Sequence, residues 1–219
     1  MKLDLTTIQV LKNFSLINQS LYFRTGSEQS TIAPTKTIFA KANLKQSFDL
    51  DFAIYDLPRF LSVVSLFKDP DIVFGEKSLQ IISGSQKIQY TYADPESIVR
   101  PPDKNIKPPR SDIQFTLTPD IFASVMKATG ALSVPEVGII GKSGRIFISA
   151  FDHKNPTGDT YAYEIGETEK SFRVIFKAEY MKMIPSNYNV SISSDGIAYF
   201  KSDIVEYWIT VEGSSSFNG

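Results

Sequence analysis

Three short segments with the composition of strands recur in the same order and at the same spacing in both halves of the 219-residue chain. DIVF, LQIIS and KIQYTYA start at positions 71, 79 and 87; NVSI, IAYFKS and VEYWITVE start at 189, 197 and 205, a constant offset of 118. They are rich in Val, Ile, Tyr and Phe, as half-buried strands are. A constant offset over three elements points to two copies of one unit. The halves part at VRPPDKNIKPPR, residues 99–110, where four prolines in twelve residues favour an extended connector and oppose both helix and central strand. The expected organisation is a first domain over 1–98, a proline-rich connector over 99–110 and a second domain over 111–219.

Ahead of the repeated strands, each half shows strand-to-helix transitions. KLDL reads as a strand leading into the helix TTIQVLKNFSLI, with Thr6 as N-cap and Gln9 three residues on. In the second half IQFTL leads into TPDIFASVMKATGAL, with Thr118 as N-cap and Pro119 at the first helical position. FDLDFAIY is followed by the helix DLPRFLSVVSLF, capped by Asp56, and FRVIF by the shorter helix KAEYMKMI, halted by Pro185. SLYFR, IFAKANL, VGIIGK, RIFISAF and YAYEI are further strands, with hairpin turns at Ser143-Gly144 and Asp195-Gly196. The fold class is therefore α+β: two similar strand-rich domains, each carrying two helices on antiparallel sheets. The tail GSSSFNG, 213–219, reads as flexible and is assigned no role.

The residues needed for most catalytic chemistry are missing. There is no cysteine, which excludes disulfide scaffolds, thiolate metal sites and cysteine nucleophiles. The one histidine, His153, lies in the loop DHKNPTGD near Asp152 and Asp159, a thin set for a metal. GIIGKS, 138–143, lacks the four-residue gap of a phosphate-binding loop and reads as a hairpin. No enzyme, cofactor or metal is expected. The opening MKLDLTTIQVLKNF has acid and amide residues where a signal peptide needs an apolar core, and no apolar run approaches the ~20 residues that span a bilayer. A cytosolic chain without a membrane partner is expected.

Lys+Arg (23) and Asp+Glu (24) nearly cancel, but their distribution is uneven. On a wheel of roughly 100° per residue, Val10, Leu11, Phe14 and Ile17 share one face of the first helix and Lys12 lies opposite. Leu57, Phe60, Leu61, Val64 and Phe67 form the apolar side of the second, with Arg59 behind them. Ile121, Phe122, Val125 and Leu132 form that of the third, with Lys127 opposite. In the fourth, Met181 and Ile184 point inward and Lys182 away. Acids fall mostly in strands and turns, so a surface lined by these helices would be positive on a nearly neutral protein. Such a surface suits a polyanion met without base reading.

LKNFSLIN (11–18), DFAIYDLPRFLSVVSLF (51–67), ADPESIVRPP (93–102) and YMKMIPSNY (180–188) carry a family resemblance. In their order and spacing the chain resembles the sliding clamps, the DNA polymerase processivity factors, of T-even-type bacteriophages. The resemblance implies a DNA-clamp fold of two similar domains, three copies closing head-to-tail into a ring, and helices lining the hole. Duplex DNA, bound without sequence preference, would run through it, and Lys12, Arg59, Lys127 and Lys182 would face the phosphates. The implied partners are the phage DNA polymerase, an ATP-driven clamp loader and phage late-transcription factors, and the implied location is the cytoplasm of the infected bacterial host. Gly130 stands where relatives tend to carry another basic residue, and Arg59 is not a regular cation of the family. The competing reading is a duplicated β-rich phage structural or assembly protein that does not encircle DNA; it explains the strands but not the cation behind each helix.

Overall fold

Asp4, ahead of Thr6 in the chain, opens the first helix in the computed structural model, which describes residues 1–104 and 106–218. Its carboxylate accepts from the Thr7 N–H at 2.6 Å, so α1 runs Leu5–Ile17 and the expected strand KLDL does not form. Met1 instead exchanges two hydrogen bonds with Ile72, each 2.7 Å. The chain divides into two compact units, Met1–Asn105 and Ile106–Gly219.

In the first unit, α1 is followed by β1 (Leu21–Phe23), β2 (Gly26–Ile32), β3 (Ile38–Phe48), β4 (Phe52–Ile54), α2 (Leu57–Val64), β5 (Asp71–Phe74), β6 (Ser78–Ser83) and β7 (Gln86–Thr91). All strand pairing in it is antiparallel: β1 with β4, β2 with β3, and the meander β5-β6-β7. The apolar faces read from periodicity are largely the buried ones: Val10, Leu11, Phe14 and Ile17 from α1, and Leu57, Phe60, Leu61 and Val64 from α2. α2 ends at Val64, so Phe67, expected on the same side, lies beyond the helix and is half-buried. Asp56 caps α2 through the Arg59 N–H at 2.9 Å. Around them sits an aromatic cluster in which Phe23 stacks on Phe52 at 4.4 Å between ring centres. The strand β2 has no apolar alternation to reveal it. Its register is held by polar groups, above all the buried Gln29 side chain, which both accepts from Arg24 N–H (3.0 Å) and donates to Arg24 C=O (2.7 Å).

The second unit holds β8 (Ile113–Leu117), α3 (Pro119–Leu132), β9 (Glu136–Lys142), β10 (Arg145–Phe151), β11 (Tyr161–Glu167), β12 (Ser171–Lys177), β13 (Tyr188–Ser193), β14 (Ile197–Lys201), β15 (Val205–Thr210) and β16 (Ser216–Asn218). One antiparallel sheet has the order β11-β10-β9-β12-β16, and β13 pairs with both β8 and β14, which pairs in turn with β15. Thr118 is the N-cap residue of α3 as expected, although its side chain makes no cap hydrogen bond. Ser143 and Gly144, with φ of 51° and 83°, turn the β9–β10 hairpin. Gly138 and Gly141 of GIIGKS lie under the Phe151 and Phe172 rings, where any Cβ would collide. Their role is close packing within a strand.

Two expectations fail here. KAEYMKMI does not form a fourth α-helix: only a 3-10 turn, Ala178–Tyr180, is present, and Met181 leaves it with a non-helical ψ of 44°. A segment this short nucleates helix poorly, and tertiary hydrogen bonds to Ile184 replace the helical ladder. The described part of the tail is also ordered into structure. Ser216–Asn218 pairs with β12, and the Ser215 hydroxyl accepts from the Ile175 N–H at 2.9 Å.

Candidate nucleic-acid interface

Lys12, Arg59, Lys127 and Lys182 are all exposed. Lys12 stands in the middle of α1 between the buried Leu11 and Asn13, and Lys127 stands two residues after the fully buried Val125 of α3. Burial of the opposite faces thus orients both side chains outward by helix geometry alone. No acid occurs in α1 or α2, and α3 carries only Asp120 in its first turn. Lys12, Arg59 and Lys127 form no ion pair among the described residues. Asp120 shares the outward face of α3 with Lys127, and the Asp56 carboxylate stands at the start of α2 near Arg59, so only α1 presents its cation without an acid on the same face of the helix or within a turn.

Lys182 reaches the surface by a different route. The 3-10 turn ends before it, and it sits between the buried Met181 and Met183. Two residues on, the Ile184 N–H donates to the Tyr207 hydroxyl at 3.1 Å and the Ile184 C=O accepts from the Tyr188 hydroxyl. Both phenols are held well above their ordinary pKa, chiefly by burial, so they remain neutral donors and acceptors.

Arg59 has different surroundings from the lysines. It lies beside β7, lining a shallow groove of about 350 Å³ with Tyr55, Gln89, Tyr90 and Thr91. Burial raises the Tyr90 phenol pKa, and the nearby Arg59 charge works against that shift. Phe60, the next residue on α2, meets the Tyr90 ring edge-on at 5.3 Å.

His153 is paired with a partner that local sequence does not reveal. Its Nδ1 lies 2.5 Å from Oε1 of the buried Glu136, and its backbone N–H donates to Oε2 at 2.9 Å. Asp152 instead accepts from the Lys154 N–H at 2.9 Å. Glu136, Asp152 and His153 form the one group of potential metal-ligating side chains among the described residues, with donor atoms within 4.8 Å of one another. Glu136 and His153 satisfy each other directly, as a structural pair holding the β10–β11 loop to β9. Asp159 is not in this group. Among the described residues, no helix is long and apolar enough to cross a membrane.

Residues 2–100 match the family model described as DNA polymerase processivity factor, and residues 114–213 match that of the gp45 sliding clamp, C terminal. The sliding clamp of Vibrio phage KVP40 is 32% identical over 219 residues, spanning 97% of this chain and 99% of that protein. The sliding clamp of Enterobacteria phage T4 is 28% identical over 226 residues, spanning 99% of each. Among solved structures, PCNA from Thermococcus kodakaraensis superposes with a TM-score of 0.72 at 12% identity, over 97% of this chain and 99% of that one. The Helicobacter pylori β clamp bound to a DNA ligase peptide gives 0.68 at 13% identity, over 94% of this chain and 63% of that one. At these identities the solved structures share the fold, whereas the phage relatives are similar in sequence over nearly the whole chain. The structural-protein reading is not favoured by these likenesses. The chain belongs to the sliding clamp family, the DNA polymerase processivity factors of T-even-type bacteriophages.

Proposed function

We propose that this chain is a non-catalytic sliding clamp that encircles duplex DNA as a ring of three copies and tethers the phage replicative polymerase. The observation that carries this reading is the match of both halves to clamp-family models, over 2–100 and 114–213. The outward lysines of α1 and α3 agree with it. Residues 1–98 and 111–219 are its two clamp domains, joined by the connector 99–110. Lys12, Lys127 and Lys182 meet the DNA backbone.

The mechanism follows from topology and weak electrostatics. Lysine ammonium groups on flexible stems follow phosphates without reading bases. Because a ring cannot dissociate sideways, tight binding is unnecessary, and salt-screened contacts allow rapid sliding. A polymerase held on the ring acquires a high effective concentration at the primer end, which raises processivity with no catalytic group from the clamp. Opening such a ring onto DNA requires a loader that spends ATP. Phage late-transcription factors are further partners of the same ring, which works in the cytoplasm of the infected host.

Retention on DNA of different topology tests this. The full-length protein, loaded on circular duplex, should stay bound through gel filtration and be released when the circle is cut once. Equal release from intact and cut circles would overturn the encircling mechanism.

A further inference from the structure

Three metal-ligating side chains gather at one end of the five-stranded sheet. Glu136 opens β9, the strand between β10 and β12, and stands in register with Phe151 and Lys177 at the ends of those strands. Asp152 and His153 follow β10 directly, so strand pairing returns His153 to Glu136 across 17 residues and carries Asp152 with it. The loop alone offered one imidazole and neighbouring carboxylates; β9 adds a third donor from a rigid element.

Glu136 is the unusual member. Only 7% of its side chain is exposed, and it lines a cleft of about 830 Å³. Among the described residues its two oxygens meet His153 alone, through Nδ1 and the backbone N–H. A carboxylate offers about four acceptor positions, so half of its capacity is unused in a place where burial makes charge costly. The cleft as a whole is acidic: Glu136, Asp152, Glu179 and Glu212 line it against Lys154 and Lys177. Among the described residues neither Glu136 nor Asp152 pairs with a lysine, and the Lys177 ammonium lies instead 3.5 Å from the Tyr180 hydroxyl.

We infer that Glu136, Asp152 and His153 bind a divalent transition-metal ion of the Zn²⁺ type, which fastens the loop 152–160 to the end of β9. Their donor atoms lie within 4.8 Å of one another. An adjustment of about 1 Å in the loop side chains gathers them around one ion at about 2.0–2.2 Å from nitrogen and oxygen. One imidazole with two carboxylates suits Zn²⁺, Co²⁺ or Mn²⁺, whereas Ca²⁺ and Mg²⁺ take oxygen ligands throughout. The ion replaces the hydrogen bond between Nδ1 and Oε1, and the neutral ring keeps its proton on Nε2. Glu136 then exchanges one partner for a full positive charge, which is what a buried carboxylate gains most from. The site lies away from the helix lysines and does not depend on the ring reading.

The chain has one histidine and no cysteine, so an imidazole–metal signal has a single source. Untagged full-length protein, stripped with a chelator, is titrated with Zn²⁺ by calorimetry and with Co²⁺ by visible absorption and NMR. About one ion per chain should bind, raising the melting temperature by about 2–4 °C or more at saturation. Co²⁺ should shift the His153 ring resonances paramagnetically. Asp152→Asn should weaken binding about tenfold or more while the stripped protein melts like wild type, because an amide oxygen still accepts from the Lys154 N–H. His153→Ala should lose saturable binding. Stripped wild type that melts identically with and without submillimolar Zn²⁺ would overturn the inference. So would unshifted His153 resonances in the presence of Co²⁺. Binding that survives in both variants would assign the ion to exposed carboxylates of the cleft and overturn this site.

Discussion

Tyr188 and Tyr207 grip one peptide segment from two sides: Tyr207 accepts from the Ile184 N–H at 3.1 Å, while Tyr188 donates to the Ile184 C=O. Their rings lie 6.1 Å apart in an edge-to-face arrangement. The pair accounts for how Met181–Pro185, which is not α-helical, is still held in one place with Lys182 at its surface.

Tyr207→Phe should therefore destabilise the second unit. The ring and its packing are kept, but the Ile184 N–H is deprived of its acceptor in a buried position, at a cost of about 1–3 kcal/mol. Urea unfolding should show a lower midpoint with an unchanged slope. A midpoint equal to wild type would mean that the hydrogen bond contributes nothing net.

Alkaline pH should act on the same pair. In the unfolded chain both phenols ionise near their ordinary value of 10.0, whereas burial raises both folded values well above it. The folded state thus binds more protons than the unfolded state above that point. The stabilisation is fully present below pH 10.0 and is lost as pH rises from there through the raised folded values. Urea midpoints measured from about pH 8 to about pH 11 should fall at the upper end, and Tyr207→Phe should fall less steeply.

Replacing Lys12, Lys127 and Lys182 together by alanine should leave mass and melting temperature near wild type and weaken attraction to duplex DNA. The slope of log affinity against log salt should become shallower by about 0.9 for each phosphate that is no longer neutralised. Fluorescence anisotropy of a duplex fragment at several salt concentrations measures it. An unchanged slope would remove these lysines from the DNA-facing surface.

His153→Ala should cost stability without affecting DNA. The Glu136 carboxylate, 7% exposed, would keep its bond from the residue 153 backbone N–H but be left without the imidazole. Leaving that oxygen short of a partner costs about 1–3 kcal/mol. Thermal melting should reveal the cost, with duplex affinity and assembled mass unchanged. A melting temperature equal to wild type would show that water replaces the ring without penalty.

Local chemistry was sufficient for much of the fold. The 118-residue offset marked the duplication, because side-chain period and turn residues are properties of a few neighbours. Helical spacing identified the buried faces of α1 and α2, since rotation per residue fixes which side chains share a side. The same spacing put Lys12 and Lys127 on outward faces, and Ser143-Gly144 announced its hairpin through the positive φ that glycine tolerates. Tertiary structure decided the rest. Asp4 displaced Thr6 as cap because its carboxylate reaches the Thr7 N–H, a choice between two adequate capping residues. KAEYMKMI forms no helix because Tyr188 and Tyr207 occupy the Ile184 backbone from positions 4 and 23 residues away. Glu136 meets His153 across 17 residues, and Arg59 comes beside Tyr90 only because α2 packs on β7 through Phe60. Periodicity reports which face of an element is apolar, but not which distant element covers it; that depends on chain closure and packing, where groups far apart in sequence compete for the same buried partners.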